Sequence, residues 1–356
     1  MAPTFFTVGP SALWPELPTW WARVHASGLL SRYHRTDAVM DVYRRIAKGF
    51  ERQHRLPKGY AVALVSSATE VWQVLANWPG AARRLHLYCG SFGQRWHTLA
   101  AARTPAANGV PYDCQALPQV PTGYGPGDLI CLVHNETSVG AMLPLAFLAQ
   151  VRAANPGALL AVDATSSLGG VAFDYTVADI WFASVQKNLG LPAGLAVVFL
   201  SPQAQAAIEA SPDTGHYNAI GRILARARAH QTTHTPNVLG MALLAEMLES
   251  TPHLTELDRH TRTAAEGWYR WLVGRQGISA FIQAPEVRSQ TTVALRVPPG
   301  GAPQLLADAE AAGFVLSAGY GPVAGTMVRL ATFPAIPLAA HGRVQDWLDG
   351  YRLGGN

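Results

Sequence analysis

Asp179-Ile180-Trp181-Phe182-Ala183-Ser184-Val185-Gln186-Lys187-Asn188-Leu189-Gly190 is the stretch on which the fold turns. An apolar run suited to a buried strand gives way to small and polar residues and delivers a lysine. Lys187 is one of only three lysines in a chain with 27 lysines and arginines. A lysine at a strand end is ordinarily a surface group, its stem along apolar neighbours and its charge in water. Desolvated, the same amine becomes a neutral nucleophile, which arginine cannot do. A Schiff-base lysine is the sharper reading, and the neighbouring segments decide between the two.

Working outward, Leu159-Leu160-Ala161-Val162 is a second apolar run. It ends in Asp163, followed by Thr165, Ser166 and Ser167. Tyr60–Val65, Arg84–Tyr88, Leu129–His134 and Ala196–Leu200 also read as strands, alongside Asp179–Phe182. Helices fit between several of them. Thr69–Trp78 carries Val71, Trp72, Val74 and Leu75 at near-helical spacing, and Leu143–Ala153 and Pro202–Ala210 are similar. Two further helices, 16–28 and 37–52, precede this section. Alternation of buried strands and helices predicts an α/β sheet with helices on both faces. After long helices at Thr235–Glu249 and Leu254–Gly274 the pattern changes. Strands at Thr291–Val297 and Met327–Leu330, with helices at Pro303–Ala312 and Leu338–Leu353, predict a smaller C-terminal α+β domain. The expected division is a large domain over 15–250 and a small one formed by 1–14 and 251–356.

Composition narrows the function. Apolar residues make up 49% and charged residues 14%, enough for a large core and against disorder. The net charge of +4 is scattered, with Arg44-Arg45 and Arg83-Arg84 the nearest approach to a basic tract. Nucleic acid is therefore not an expected partner. No window approaches the roughly 18 apolar residues of a membrane span, and the opening residues lack a basic-then-apolar leader. Cys89, Cys114 and Cys131 have no metal or redox spacing. They read as reduced thiols in a cytoplasmic protein.

Several strand ends carry chemistry. Asp163 sits where open α/β sheets bind ligands, at the carboxyl end of a strand. Ser66-Ser67-Ala68-Thr69 opens a helix and leaves backbone N–H groups for a phosphate, or simply caps the helix. Gly90-Ser91-Phe92-Gly93 reads as a loop whose ring could stack on a planar group. His134-Asn135-Glu136-Thr137-Ser138-Val139-Gly140 adds hydrogen-bonding side chains at the same edge. Each has a bland reading alone, but their convergence on one sheet edge is not a coincidence of one strand. A carboxylate for a pyridinium nitrogen and a lysine for a Schiff base are the two protein groups that pyridoxal phosphate most needs.

On these residues the chain resembles the class-V, fold-type I pyridoxal-phosphate aminotransferases, and within them the phosphoserine aminotransferases. Phe6-Thr7-Val8-Gly9-Pro10 is similar to the family's Phe-x-x-Gly-Pro opening. Ser31-Arg32-Tyr33-His34-Arg35 is similar to its Ser-His-Arg segment, and Asn135-Glu136-Thr137 to its Asn-Glu-Thr motif. Ser184-Val185-Gln186-Lys187 resembles Ser-x-Gln-Lys, and His234-Thr235-Pro236 resembles Asn-Thr-Pro. The resemblance implies a mostly parallel mixed sheet between helices in the large domain. It implies that Lys187 forms the Schiff base, Asp163 meets the pyridine nitrogen, Thr137 sits near the phenolic oxygen and Phe92 stacks on the ring. Ala68, Thr69 and Gln186 would bind the cofactor phosphate, with Ser184 nearby. His234 and Thr235 would reach the phosphate of the other subunit's cofactor, in a homodimer with shared active sites. Arg329 would pair with the substrate α-carboxylate, and His34 and Arg35 with a substrate phosphate. No metal is implied.

The implied activity moves an amino group between glutamate and a 2-oxo acid, 3-phosphohydroxypyruvate, as in serine biosynthesis. The chain also departs from the pattern. Where the family carries a His-Arg pair that contacts the substrate phosphate, this sequence reads Ala318-Gly319-Tyr320-Gly321-Pro322. Phe92 stands for a Trp, His234 for an Asn, and Ser66-Ser67 for Gly-Gly. A class-V aminotransferase for alanine, serine or glyoxylate is the alternative these changes raise. A desulfurase on the same fold would need a late loop cysteine, and none follows Cys131. A GxxxxGK nucleotide loop is also absent.

Overall fold

The computed structural model describes residues 3–213 and 215–351. The chain opens with β1 (Thr4–Phe5), α1 (Leu17–Ala26) and α2 (Asp37–Gln53). An alternating section follows: β2 (Ala61–Val65), α3 (Ala68–Asn77), β3 (Arg83–Tyr88), α4 (Ser91–Ala101), β4 (Ala107–Pro111) and β5 (Asp128–Val133). It continues through the short strands β6 (Asn135–Glu136) and β7 (Ala141–Met142), then α5 (Leu145–Ala154), β8 (Leu159–Asp163), β9 (Ile180–Ser184) and β10 (Ala196–Leu200). Four helices come next: α6 (Pro202–Ala210), α7 (Ile220–Arg228), α8 (Val238–Ser250) and α9 (Leu254–Trp271). The chain closes with β11 (Ser279–Ala280), β12 (Thr292–Arg296), α10 (Gly301–Ala311), β13 (Phe314–Val315), β14 (Ser317–Ala318), β15 (Met327–Ala331) and α11 (Leu338–Gly350).

The apolar runs assemble into a seven-stranded sheet of order β2-β10-β9-β8-β5-β3-β4. Every pair from β9 to β4 is parallel, and β10 runs against both its neighbours. This is the mostly parallel mixed sheet expected. Parallel strands covered on both faces need apolar residues on both, and all six residues of β5 are buried. Successive side chains point to opposite faces. On β9, Trp181 and Ala183 join Ile46, Phe147 and Leu244, while Ile180 and Phe182 join Trp72, Trp96 and Ile223. Helices therefore cover both sides. α2 and α8 approach so closely that a Cβ on Gly49 would lie 2.8 Å from the Leu248 Cβ.

A four-stranded antiparallel sheet, β11-β12-β15-β14, forms a separate core with α9, α10 and α11. Val293, Leu295, Val328 and Leu330 meet Trp268, Leu305 and Val344 there. β1 pairs in parallel with β13, and Phe6 is buried in this core.

Some boundaries differ from the sequence reading. Gly90-Ser91-Phe92-Gly93 is not a loop: Gly90 precedes α4, and Phe92 lies in its first turn. Two glycines in four residues hid the helix, yet Gly93 is required, since a Cβ there would lie 2.5 Å from the Tyr88 Cβ. α8 begins at Val238 rather than Thr235, because the Asn237 side chain caps it by accepting from Gly240 N at 2.9 Å. The edge strand β4 and helix α7 went unread. β4 holds Gly109 and Pro111 and is largely solvent-facing, so it lacks the apolar signature of its neighbours. The end of the expected helix Leu338–Leu353, and residues 1, 2 and 352–356 of the expected small domain, lie outside the described residues. No helix among the described residues is long and apolar enough to cross a membrane.

Candidate active site

The carboxyl ends of β3, β5, β8 and β9 meet the end of β2 at one edge of the large sheet. They enclose a cavity of about 280 Å³. From the sheet side it is lined by Ala68, Thr69, Trp72, Phe92, Asn135, Thr137, Asp163, Ser184, Gln186 and Lys187. Val8, Gly9, Ser317, Tyr320 and Arg329 close the opposite side. Crevices outside the carboxyl ends of parallel strands are where this architecture gathers functional groups, because loops from several strands converge there.

Lys187 follows β9 and is 8% exposed. Its Nζ donates to Thr137 Oγ1 at 3.0 Å and lies 5.2 Å from the centre of the Phe92 ring. Burial brings its pKa down to about 8 from an ordinary 10.5; Asp163 and Glu136 work against that shift, and Arg329 adds to it. An amine in that range is partly neutral at physiological pH, as a nucleophile requires. Its stem is confined by Gly9, where the backbone has φ +145° and a Cβ would come 2.7 Å from the Lys187 Cε.

Asp163 ends β8. One carboxylate oxygen accepts from Trp72 Nε1 at 2.8 Å and the other from Thr165 N at 2.9 Å. Burial raises its pKa, while the bonds from Thr165 and Trp72 and the charge of Lys187 oppose the rise. A buried carboxylate of this kind is relieved by a positive partner. Three buried polar atoms of lining residues, Asn135 Oδ1, Thr165 Oγ1 and Gln186 Oε1, have no hydrogen-bond partner. Orphaned polar atoms are costly in an interior, so their shared cavity suits a polar occupant with hydrogen-bonding groups at several points.

The N-terminus of α3 opens on the same cavity. Ser67 Oγ caps it by accepting from Glu70 N at 3.1 Å, and Ser184 Oγ accepts from Ala68 N at 2.8 Å. With Thr69 and Gln186 beside it, this end has the polarity and N–H groups that suit a phosphate.

The sequence reading gave Glu136 no role. It is fully buried, and its carboxylate accepts from Phe92 N at 3.3 Å, Gly93 N at 3.0 Å and Ser138 Oγ at 2.5 Å. Burial raises its pKa and these bonds hold it down. Glu136 thus caps α4 and fixes the turn that presents Phe92, with the helix dipole favouring the negative charge. Gly90 leaves it room, since a Cβ there would sit 2.5 Å from Glu136 Cγ. Trp72 and Ser166 were also missed, because a tryptophan on a helix and a serine after a strand carry no motif of their own.

Arg329 is 6% exposed on β15. It donates through Nε to Ala318 O and through Nη1 to Thr137 O, both at 2.9 Å. Tyr320, in the segment that lacks a His-Arg pair, puts its ring 5.6 Å from that of Phe92 and 5.8 Å from the Arg329 guanidinium. Arg95, exposed on α4, donates to the Tyr320 hydroxyl at 3.4 Å.

His34, Arg35, His234 and Thr235 do not line the Lys187 cavity of their own chain. They gather elsewhere. His34 and Thr235 line a separate cleft with Arg32 and Tyr33, and Arg35 donates to Gln231 Oε1 at 2.6 Å. Burial lowers the His34 pKa, with Arg35 and His234 adding to it. The Cys89 thiol is pushed well up by burial, with Glu136 adding, which leaves it protonated and unsuited to a desulfurase's nucleophilic role.

The profile of the family "Aminotransferase class-V" matches residues 125–331. A putative phosphoserine aminotransferase of Mycolicibacterium vanbaalenii is 31% identical over 297 residues, covering 80% of this chain and 78% of that protein. The crystal structure of a phosphoserine aminotransferase from Cytophaga hutchinsonii superposes with a TM-score of 0.92 at 28% identity, covering 99% of both chains. A PLP-bound phosphoserine aminotransferase from Trichomonas vaginalis shares the fold with a TM-score of 0.79 at 16% identity, covering 98% of this chain and 99% of that one.

Proposed function

The chain belongs to the class-V aminotransferase family, and on that premise we propose that it is a pyridoxal-phosphate enzyme whose substrate is phosphoserine. The observation that carries the reading is one buried cavity. In it the Lys187 amine lies 3.0 Å from Thr137 and within the field of the Asp163 carboxylate. The residues present fit the cofactor. Asp163 offers a buried carboxylate to its ring nitrogen, Phe92 a ring face, and Thr137 a hydroxyl near its phenolic oxygen. Ala68, Thr69, Ser184 and Gln186 would surround its phosphate, with Thr69 and Ser184 offering hydroxyl donors and the Ala68 N–H holding Ser184 in place. Lys187 would hold it through the amine. When bound, the cofactor supplies an aldehyde that links to amines and a ring that accepts the electron pair released at the substrate Cα.

The remaining work belongs to the protein. Arg329, held by two backbone carbonyls, orients the substrate carboxylate so that the Cα–H faces Lys187. Lys187 would take and return the proton at the substrate Cα; an amine with a pKa near 8 can do both near neutral pH. The Asp163 carboxylate would favour a protonated ring nitrogen, because an unpaired negative charge at that depth is unfavourable.

Glutamate as donor and 3-phosphohydroxypyruvate as acceptor are supported by the names of the relatives and by the His34–Arg35 pair. Such a reaction serves serine biosynthesis in the cytoplasm. We assign His34, Arg35, His234 and Thr235 to the cavity of a second copy in a symmetric homodimer, as their grouping away from their own Lys187 suggests. We take residues 15–250 as the large cofactor-binding domain and 1–14 with 251–356 as the small one; the β1–β13 pairing supports joining the two ends. Tyr320 favours a second reading, since it stands where a cationic pair would meet a phosphate. A class-V enzyme for alanine, serine or glyoxylate is that alternative. Half-reaction spectra of the cofactor-loaded protein decide. Phosphoserine should remove the cofactor's absorbance far faster than serine or alanine, and the reverse order would overturn the substrate assignment.

A further inference from the structure

The Lys187 amine is one end of a chain of hydroxyls. Its Nζ donates to Thr137 Oγ1 at 3.0 Å, and Thr137 Oγ1 lies 2.8 Å from Ser166 Oγ. Ser166 Oγ in turn lies 2.9 Å from the backbone carbonyl of Asn135. A carbonyl oxygen only accepts, so Ser166 uses its single proton there. Towards Thr137 it can then only accept, and Thr137 must use its own proton on Ser166. What Thr137 has left for Lys187 is a lone pair. The direction of the whole chain is set at its far end by a main-chain carbonyl that cannot reverse.

The chain is shielded from water: Thr137 and Ser166 are each 2% exposed. Ser166 is also tied down through its backbone, whose carbonyl accepts from Thr291 Oγ1 at 2.6 Å. We propose that Ser166 is a positioning residue that locks the Thr137 hydroxyl as an acceptor towards Lys187, favouring the protonated amine and holding it in place. This rests on Lys187 being the cofactor lysine. The other groups facing the amine are Asp163 and Glu136, which favour its charge, Arg329, which opposes it, and the Phe92 ring face. None of these four side chains is hydrogen-bonded to Ser166, whose Oγ also accepts from Asn135 Nδ2 at 2.8 Å. Without the Ser166 oxygen, the Thr137 proton has no fixed acceptor and can turn to the lone pair of Lys187. That lone pair exists only on the neutral amine, so the balance moves towards the neutral form.

The test uses the full-length protein freed of cofactor and mixed with pyridoxal phosphate. The rate of uptake, followed by absorbance across neutral and alkaline pH, rises as Lys187 loses its proton. Ser166→Ala should lower the midpoint of that rise by about half a pH unit to one unit, the scale of one ordinary hydrogen bond. Ser166→Cys, close in shape with a weakly accepting sulfur, should lower it in the same direction. Thr137→Val should lower it as well, and adding Ser166→Ala to Thr137→Val should produce no further shift. Two results overturn the inference: both Ser166 variants loading fully with the wild-type midpoint, or the Ser166→Ala shift persisting in full without Thr137. A wild type that takes up no cofactor at any pH would instead overturn the cofactor reading, and this inference with it.

Discussion

The two sides of the cavity are built differently. On the sheet side, Lys187, Thr137, Asp163 and Glu136 are buried, and each has partners drawn from strand ends or helix termini. On the opposite side, Tyr320 is half-buried; its hydroxyl meets the exposed Arg95 at 3.4 Å, and its ring leans on Phe92 and Arg329. The first side is held by interior hydrogen bonds, strong because water is excluded. The second is held by looser contacts at a solvent-facing mouth. On the proposed function, the contrast gives the chemistry to the sheet side and the choice of substrate to the mouth, and Arg329 links the two through its bond to Thr137 O.

Breaking the sheet side should have the largest effect. Lys187→Ala removes the proposed tether and proton carrier together, so turnover should fall by more than about 10⁴-fold, measured with saturating pyridoxal phosphate. Asp163→Asn should follow, with kcat down by about 10²- to 10³-fold, the equivalent of breaking a buried charge pair. It should also weaken cofactor retention on dialysis. Arg329→Lys keeps the charge but loses the planar fork, so the KM for both amino and 2-oxo acids should rise by about 10- to 100-fold while kcat changes less. Substitution at the mouth should be milder and selective. Arg95→Ala should raise the KM for phosphoserine by about three- to tenfold and leave that for glutamate nearly unchanged. Equal effects on both substrates would remove the mouth from specificity.

Apart from turnover, the stability of the fold should depend on pH. His54 and His134 are buried and keep pKa values of about 3, whereas unfolding returns them to about 6.5. Their contribution is complete above that upper value and is lost as pH falls towards 3, by at most about 1.4 kcal/mol per pH unit for each histidine. Lys187 works in the opposite window. Its pKa of about 8, against 10.5 unfolded, burdens the cofactor-free fold below pH 8 and relieves it as pH rises between those values. The Tm difference between the cofactor-free wild type and Lys187→Met should shrink over that interval.

The sheet side was also the legible side. Strands covered on both faces must be apolar throughout, so β5, β8 and β9 announce themselves, and Asp163 and Lys187 follow as the polar residues at their ends. What escaped reading depends on contacts between distant segments. Glu136 caps a helix more than 40 residues earlier in the chain, and nothing in Asn-Glu-Thr signals a capped helix. Phe92 reads as a loop residue in the sequence because its nearby glycines serve close approaches to Tyr88 and Glu136, not a turn. The Thr137–Ser166 pair depends on β5 and β8 lying side by side. The gathering of His34, Arg35, His234 and Thr235 away from Lys187 follows from the path of the whole chain, which no single motif contains.

Borohydride reduction of the cofactor-loaded protein, followed by peptide mass spectrometry, tests the central claim most directly. It should add one reduced pyridoxyl phosphate per chain, on the peptide containing Lys187, with none on Lys48 or Lys58. A wild type that cannot be loaded, or a label carried by another lysine while Lys187 stays free, would contradict it.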